Sequence, residues 1–380
     1  MKPEPGCEFK HVFSDRIPSL DGLRALSIGL VLAMHSGIYQ VDNVPALLRP
    51  LLLFFVNGPL GVSIFFVISG FLITTLLLRE ADETGGIRLR DFYVRRTFRI
   101  LPACYVYLGV LLVLKGLGAA SVLPEGWFSA SVFLRNYLLP VEGMDWNTAH
   151  FWSLSVEEQF YLFWPVGLIL LGRRRAAWLA AGLIVSAPLI RMVTFAELTD
   201  RRPEIGYMTH TRVDTLMFGC LTALLARSEA FQKAVRRGFA LRLPLLAAAG
   251  LFVVSPLLQR TFQGRYLFTV GYTLEGIGIV LVLLWVIERP ETRIGRLLNS
   301  RFLIHVGMLS YSLYLWQQCL LRTTSFWSLA ATIVAAECSF HLIERPALRL
   351  RKRWPGSNRP PRPLAADSAP VGLLLTKSAA

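Results

Sequence analysis

Residues Trp127–Leu139, WFSASVFLRNYLL, decide how the rest of the chain is threaded. This stretch is apolar and lies between Pro124 and Pro140, yet its 13 residues fall short of the ~17 a helix needs to cross a hydrocarbon core. Longer apolar runs flank it, at about 17–39, 59–78, 99–117, 151–171, 176–195, 211–227, 241–258, 267–287, 302–322 and 326–343. Basic loops punctuate them: Arg79 to Arg99, Arg173–Arg175, Arg227 to Arg242, Arg289 to Arg301, and Arg345 to Arg353. If Trp127–Leu139 does not cross, all five loops share one side, and the positive-inside rule makes that side cytoplasmic. If it crosses, the later loops land on the wrong side. The expected fold is therefore an all-α polytopic membrane helical bundle of about ten transmembrane helices, with N- and C-termini cytoplasmic. Trp127–Leu139 is then a partial or re-entrant helix. Arg201, Arg202, Arg260 and Arg265 run mildly against this pattern, being placed outside.

Composition agrees. The 380 residues are 54% hydrophobic and only 17% charged, with mean hydropathy +0.49. That is too apolar for an ordinary soluble enzyme. A net charge of +15 raises the question of nucleic acid, but the arginines cluster between apolar runs and no recognised binding motif accompanies them. They read as topology signals, so no nucleic-acid partner is expected. Residues 1–16 lack a signal peptide's short apolar core and cleavage site, and are expected to form a cytoplasmic N-terminal segment. Residues 17–345 form the membrane domain. Residues 346–380 are a basic tail, rich in Pro, Ser and Ala from Trp354, and expected to be disordered and cytoplasmic. The five cysteines form no CxxC pair, and neither they nor the six histidines suggest a metal site or a disulfide framework.

Ionisable groups inside spans cost roughly 2.5–3.5 kcal/mol each on insertion scales, so they usually face a partner or a cavity. The first span, IPSLDGLRALSIGLVLAMHSGIY, carries Asp21, Arg24 and His35. Arg24 and His35 are eleven residues apart, which places them on one helix face about 16 Å apart. The fourth span, FWSLSVEEQFYLFWPVGLILL, carries Glu157 and Glu158. Entering from outside, it puts Glu157 about two turns deep, where its level is expected to match that of His35. For His35 alone, an interfacial histidine reaching to the headgroups is the plainer reading; the matched glutamate and aligned Arg24 favour proton-transfer chemistry. Arg96 and Arg99 in FYVRRTFRILP suit bidentate phosphate contact, although positive-inside signal explains most arginine clusters. Gly61, Ser63, Ser69 and Gly70 in the second span read first as helix-packing residues. Arg212, Asp214 and Glu275 either line a cavity or pair internally.

LDGLRALSIGLVLAMH, GVSIFFVISGFLI, FYVRRTFRILP, FWSLSVEEQFYLFWP and SYSLYLWQQ occur in an order and spacing that resembles the acyltransferase-3 family over about residues 17–345. That family comprises integral membrane acyltransferases acting on extracytoplasmic glycans, lipids and secondary metabolites. The resemblance implies roles for particular residues. Its arginine-x10-histidine element falls on Arg24 and His35, its arginine-x-x-arginine element on Arg96 and Arg99, and its glutamate on Glu157 rather than Glu158. Its SGFL element falls on Ser69 and Gly70.

The implied activity is O-acylation in the plasma (inner) membrane. A cytoplasmic acyl-CoA, with acetyl-CoA expected, would dock at Arg96, Arg99 and Arg24, and no metal is implied. His35 would serve as general base or as an acylated nucleophile, with Glu157 orienting its imidazole. The acceptor would be a glycan, a lipid-linked saccharide or a small molecule, and its identity, the acyl chain length and the oligomeric state are not set by the residues. A transporter or flippase of a lipid-linked glycan is the rival reading. It predicts internal repeats with broken helices, and no second copy of the LDGLR…H pattern occurs.

Overall fold

The structure, a computed structural model, describes residues 17–37, 56–138, 145–262, 264–321 and 325–352. The expected N-terminal segment 1–16, the far end of the first span (38–39) and the tail beyond Lys352 lie outside the described residues. Among the described residues every regular element is a helix. They are α1 Pro18–His35, α2 Gly58–Thr84, α3 Leu89–Gly116, α4 Pro124–Ser131, α5 Phe151–Glu197, α6 Thr209–Leu225 and α7 Glu229–Ala240. They continue as α8 Leu243–Thr261, α9 Leu267–Glu288, α10 Arg301–Leu320 and α11 Phe326–Arg351. Short turns at Trp146–Ala149, Thr199–Gly206 and Arg293–Leu298 connect them.

Six runs are long and apolar enough to cross a membrane by length and composition: α2, α3, the run Trp146–Glu197 that contains α5, α8, α9 and α11. The other helices that overlie predicted spans, α1, α6 and α10, are shorter or more polar. Of Trp127–Leu139 the described residues, 127–138, are helical only in α4, which ends at Ser131 and gives way to turns. Eight residues rise about 12 Å, well short of a ~30 Å hydrocarbon core. The basic stretch after α6 holds a helix the sequence reading passed over: α7 buries Gln232, Val235 and Gly238 and turns Lys233 and Arg237 outward. The last two helical turns, Arg345–Lys352, also carry the helix past the expected boundary at 345.

Capping and backbone chemistry set the helix ends. Asn57 Oδ1 accepts the Leu60 amide at 3.0 Å at the start of α2, and Ser300 Oγ does the same for Leu303 in α10 at 3.4 Å. Within α5, Gly172 adopts φ 68° and ψ 173°, a conformation open to glycine and strained for other residues. The chain reverses there. Gln159 and Arg191 would stand about 48 Å apart on a straight helix, yet Thr209 bonds Gln159 at 2.5 Å and Arg191 bonds the Thr211 carbonyl at 2.5 Å. The arms 151–171 and 173–197 thus run in opposite directions with no loop between them, and Arg173 at the reversal pairs with Asp82 near the end of α2.

α1 packs between α2 and α10; α2 packs on α6, and α6 on α5 and α9. α11 covers α10, and α3 lies along both. Gly70 and Gly219 allow a close crossing of α2 and α6. A Cβ on Gly70 would lie 2.0 Å from the Leu216 carbonyl oxygen, and one on Gly219 2.1 Å from that of Val67. Backbone meets backbone here, so the SGFL glycine serves packing.

Asp214 pairs internally with Arg191, while Arg212 and Glu275 meet through Ser63. Arg191 donates to Asp214 Oδ2 at 2.8 Å and to Thr273 Oγ1 at 2.5 Å, and both ion-pair side chains are fully buried. Arg212 stacks 3.5 Å above the centre of the Tyr272 ring and donates to Ser63 Oγ at 3.0 Å. Glu275 accepts from Ser255 at 2.9 Å and from Ser63 at 3.3 Å. This network ties α2, α5, α6, α8 and α9 together.

Candidate active site

Three helices contribute arginines and a carboxylate to one cavity between α1, α2, α3, α5 and α10. Its walls include Arg24, Ser69, Arg96, Arg99, Glu157, Glu158, Tyr161, Ser153 and Tyr314. Arg24 comes from the second turn of α1, where it stays 3.4 Å from Asp21. Arg96 and Arg99 come from the first turns of α3, one helical turn apart and so on one face. The neighbouring Arg95 is taken up by Glu80 at 2.7 Å, and Arg88 also pairs with Glu80 at 3.5 Å. Arg96 instead lies over the Tyr161 ring at 5.2 Å. One basic run is thereby divided: part is neutralised at the surface of the bundle and part lines the cavity.

Glu157 stands among these groups. Its Oε1 accepts from Ser69 Oγ at 2.5 Å, Ser69 Oγ also lies 3.1 Å from the Tyr161 hydroxyl, and Arg24, Arg96 and Arg99 all act electrostatically on the carboxylate. Ser69, read from sequence as a packing residue, therefore touches the site directly. Glu158 lines the same cavity. The cavity has a volume of about 90 Å³.

His35 is placed elsewhere, which corrects the expected pairing. It forms no contact with Glu157. Its ring meets Trp146 edge-on at 5.6 Å, with Gln317 beside it. The residue at its level is His150, seven positions before Glu157. Sequence spacing fixed depth along each helix, but the stagger of α5 against α1 is set by contacts that no span-by-span reading contains. Chief among them are the bond from the His150 amide to Gln318 Oε1 at 3.0 Å and the one from Ser69 to Glu157.

Between the two clusters stand Ser153 and Tyr314. Their hydroxyls are 2.5 Å apart, and the His150 carbonyl accepts from Tyr314 at 3.1 Å and from Ser153 at 3.2 Å. Arginines and carboxylates thus line the cavity, the histidines lie outside it, and the hydrogen-bonded hydroxyl pair stands between them. Beyond it, His35 Nδ1, His150 Nε2 and both amide atoms of Gln317 are buried without hydrogen-bond partners. Leaving such atoms unpaired costs about 1–3 kcal/mol each. His150 could have been noticed as the residue just before FWSLSVEEQFY, Arg191 as an ionisable group inside a span, and Gln317 as the first glutamine of SYSLYLWQQ. Among the described residues no cluster of three or more His, Cys, Asp or Glu side chains could hold a metal ion.

A family model described as an acyltransferase domain matches residues 17–340. The chain belongs to the acyltransferase-3 family. Over 368 residues it is 28% identical to a Staphylococcus aureus (strain COL) protein named, by inference only, as an O-acetyltransferase, covering 87% of this chain and 57% of that one. It is 27% identical to the peptidoglycan O-acetyltransferase OatA of Listeria monocytogenes over 366 residues (87% of this chain, 55% of the relative). The O-acetyltransferase OatA of Staphylococcus aureus (strain NCTC 8325) is 26% identical over 357 residues, with 87% and 57% covered. The chain spans little more than half the length of these curated relatives. No solved structure matches it.

Proposed function

We propose that this member of the acyltransferase-3 family is a plasma-membrane O-acyltransferase that moves an acyl group, expected to be acetyl, from cytoplasmic acyl-CoA to a hydroxyl on the outer side. The acceptor is a glycan, a lipid-linked saccharide or a secondary metabolite; the Listeria relative's name specifies peptidoglycan. One observation carries this reading: Arg24, Arg96 and Arg99 converge in a narrow cavity whose far end adjoins the cluster holding His35. Guanidinium forks suit the phosphates of coenzyme A, and the narrow space suits its slender thioester arm. Glu157 is the positioning residue that keeps the three guanidinium groups together.

The step itself balances without a cofactor. His35 takes the proton of the acceptor hydroxyl as its oxygen forms a bond to the thioester carbonyl carbon. The carbon–sulfur bond then breaks, the thiolate takes up the proton, and coenzyme A leaves as the thiol. Transfer of radiolabel from acetyl-CoA to envelope glycan by the purified protein in membranes tests the reading; a flippase transfers none. Arg96→Ala and Arg99→Ala should each raise the KM for acetyl-CoA about 10- to 100-fold, the weight of a charged hydrogen bond, with a smaller change in turnover. Unchanged donor KM in both variants would remove the arginines from the donor site.

Sidedness follows from ten crossings with cytoplasmic termini. A cysteine at Glu83, exposed at the end of α2, should resist impermeant maleimide in intact cells. One at Asp200, exposed in the turn Thr199–Gly206, should react. The reverse labelling would put the arginine cavity in a compartment without coenzyme A and end the acyl-CoA mechanism.

A further inference from the structure

His35, His150 and Gln317 reach one place from three separate elements: the end of α1, the start of α5 and the last turn of α10. Gln317 is fully buried and His150 is 2% exposed. Gln317 lies next to the His35 ring, yet no hydrogen bond of acceptable geometry forms between them. The surroundings, by contrast, are well satisfied. Gln318 Oε1 accepts the His150 amide at 3.0 Å and lies 2.8 Å from His150 Nδ1, and the Gln318 carbonyl accepts from Trp146 Nε1 at 2.7 Å.

Those bonds fix the chemistry of the unpartnered atoms. A backbone N–H can only donate, so the Gln318 atom facing it is the oxygen. His150 Nδ1 faces the same oxygen and therefore carries the proton, which leaves Nε2 as an acceptor. Gln317 adds one amide donor group and one acceptor. A metal ion would find a donor in its way, and an anion would find acceptors. A hydroxyl both donates and accepts, and a group of hydroxyls matches the set. Trp146, 42% exposed, offers a ring beside them on which the apolar face of a sugar can rest.

We propose that His150 and Gln317, together with His35 and Trp146, form the acceptor seat, a binding site for a hydroxyl-rich carbohydrate whose hydroxyls they hold beside the Ser153–Tyr314 pair. The proposal rests on the reading that the acyl group passes to a hydroxyl. Gln318 fixes His150, His150 and Gln317 bind the sugar, and His35 receives the proton.

The test uses the full chain in lipid nanodiscs, with tetra-N-acetylchitotetraose as the probe, followed by saturation-transfer NMR. Gln317→Leu removes the two unpartnered atoms while keeping most of the side-chain volume. The expected result is an affinity for the tetrasaccharide about tenfold weaker, the loss of one or two ordinary hydrogen bonds, with acetyl-CoA affinity unchanged. The thermal midpoint should be equal or higher, since a buried unpaired amide has been removed; a residue with a purely structural role would lower it. Equal tetrasaccharide affinity in wild type and Gln317→Leu overturns the proposal, as does a wild type that does not bind the probe at millimolar concentration. Label transfer from acetyl-CoA is read in parallel. Transfer without a Gln317 effect on acceptor binding leaves the enzymatic reading standing and the seat refuted. Gln317-dependent binding without transfer leaves the seat standing and refutes the reading on transfer.

Discussion

Replacing His35 with Ala is expected to lower acyl turnover at least ~100-fold, the usual contribution of a general base, while the protein still inserts and folds. Insertion should be spared because losing a polar group from a span lowers the insertion penalty. Folding should be spared because His35 closes α1 at its last turn, and its buried Nδ1 holds no bond that the bundle would lose. Acetyl-CoA affinity should be unchanged, since the arginine cavity lies beyond the Ser153–Tyr314 pair. Single-turnover label transfer with saturating donor measures the step directly. Wild-type turnover in a well-expressed His35→Ala protein would sink the catalytic assignment. A lowered donor affinity with unchanged turnover would move His35 to the donor site.

Asp214→Ala carries the largest expected stability effect. It leaves the Arg191 guanidinium, fully buried, without its carboxylate, and breaking one side of a buried pair typically costs 3–5 kcal/mol. Thr273 loses a partner as well, its hydroxyl now bonding Asp214 Oδ2 at 2.6 Å. The thermal midpoint in detergent, followed by retention of the monodisperse peak, should fall sharply. The double variant Arg191→Met/Asp214→Leu should recover much of the loss, because an apolar pair of similar volume leaves no charge stranded. An Asp214→Ala protein as stable as wild type would mean that Arg191 finds compensation elsewhere and that the network does not hold the bundle.

The arginine cavity was largely legible in the sequence. Arg24, Arg96, Arg99 and Glu157 were each marked by being ionisable in or beside apolar runs, and all four line one cavity. Ser69 was read as a packing residue, and only the fold reveals the bond it makes to Glu157. The pairing of Glu157 with His35 misjudged the axial stagger between helices. A stagger of two turns moves a side chain about 10 Å, enough to exchange Glu157 for His150 at the histidine level.

By itself the sequence determined that the chain is helical and apolar enough for a membrane, that residues 127–138 form no full-length helix, and that it belongs to its family. These are local properties: run length and the spacing of arginines and short motifs. Tertiary structure alone decided that the spans 151–171 and 176–195 meet at Gly172 without a loop, that Arg95 pairs with Glu80 while Arg96 turns to the cavity, that Asp214 holds Arg191, and that His35 faces Gln317 and His150. Each of these depends on how one helix is rotated and shifted against another. That rotation and shift are set by the summed packing of glycine contacts, buried ion pairs and interhelical hydrogen bonds, which no single stretch of sequence carries.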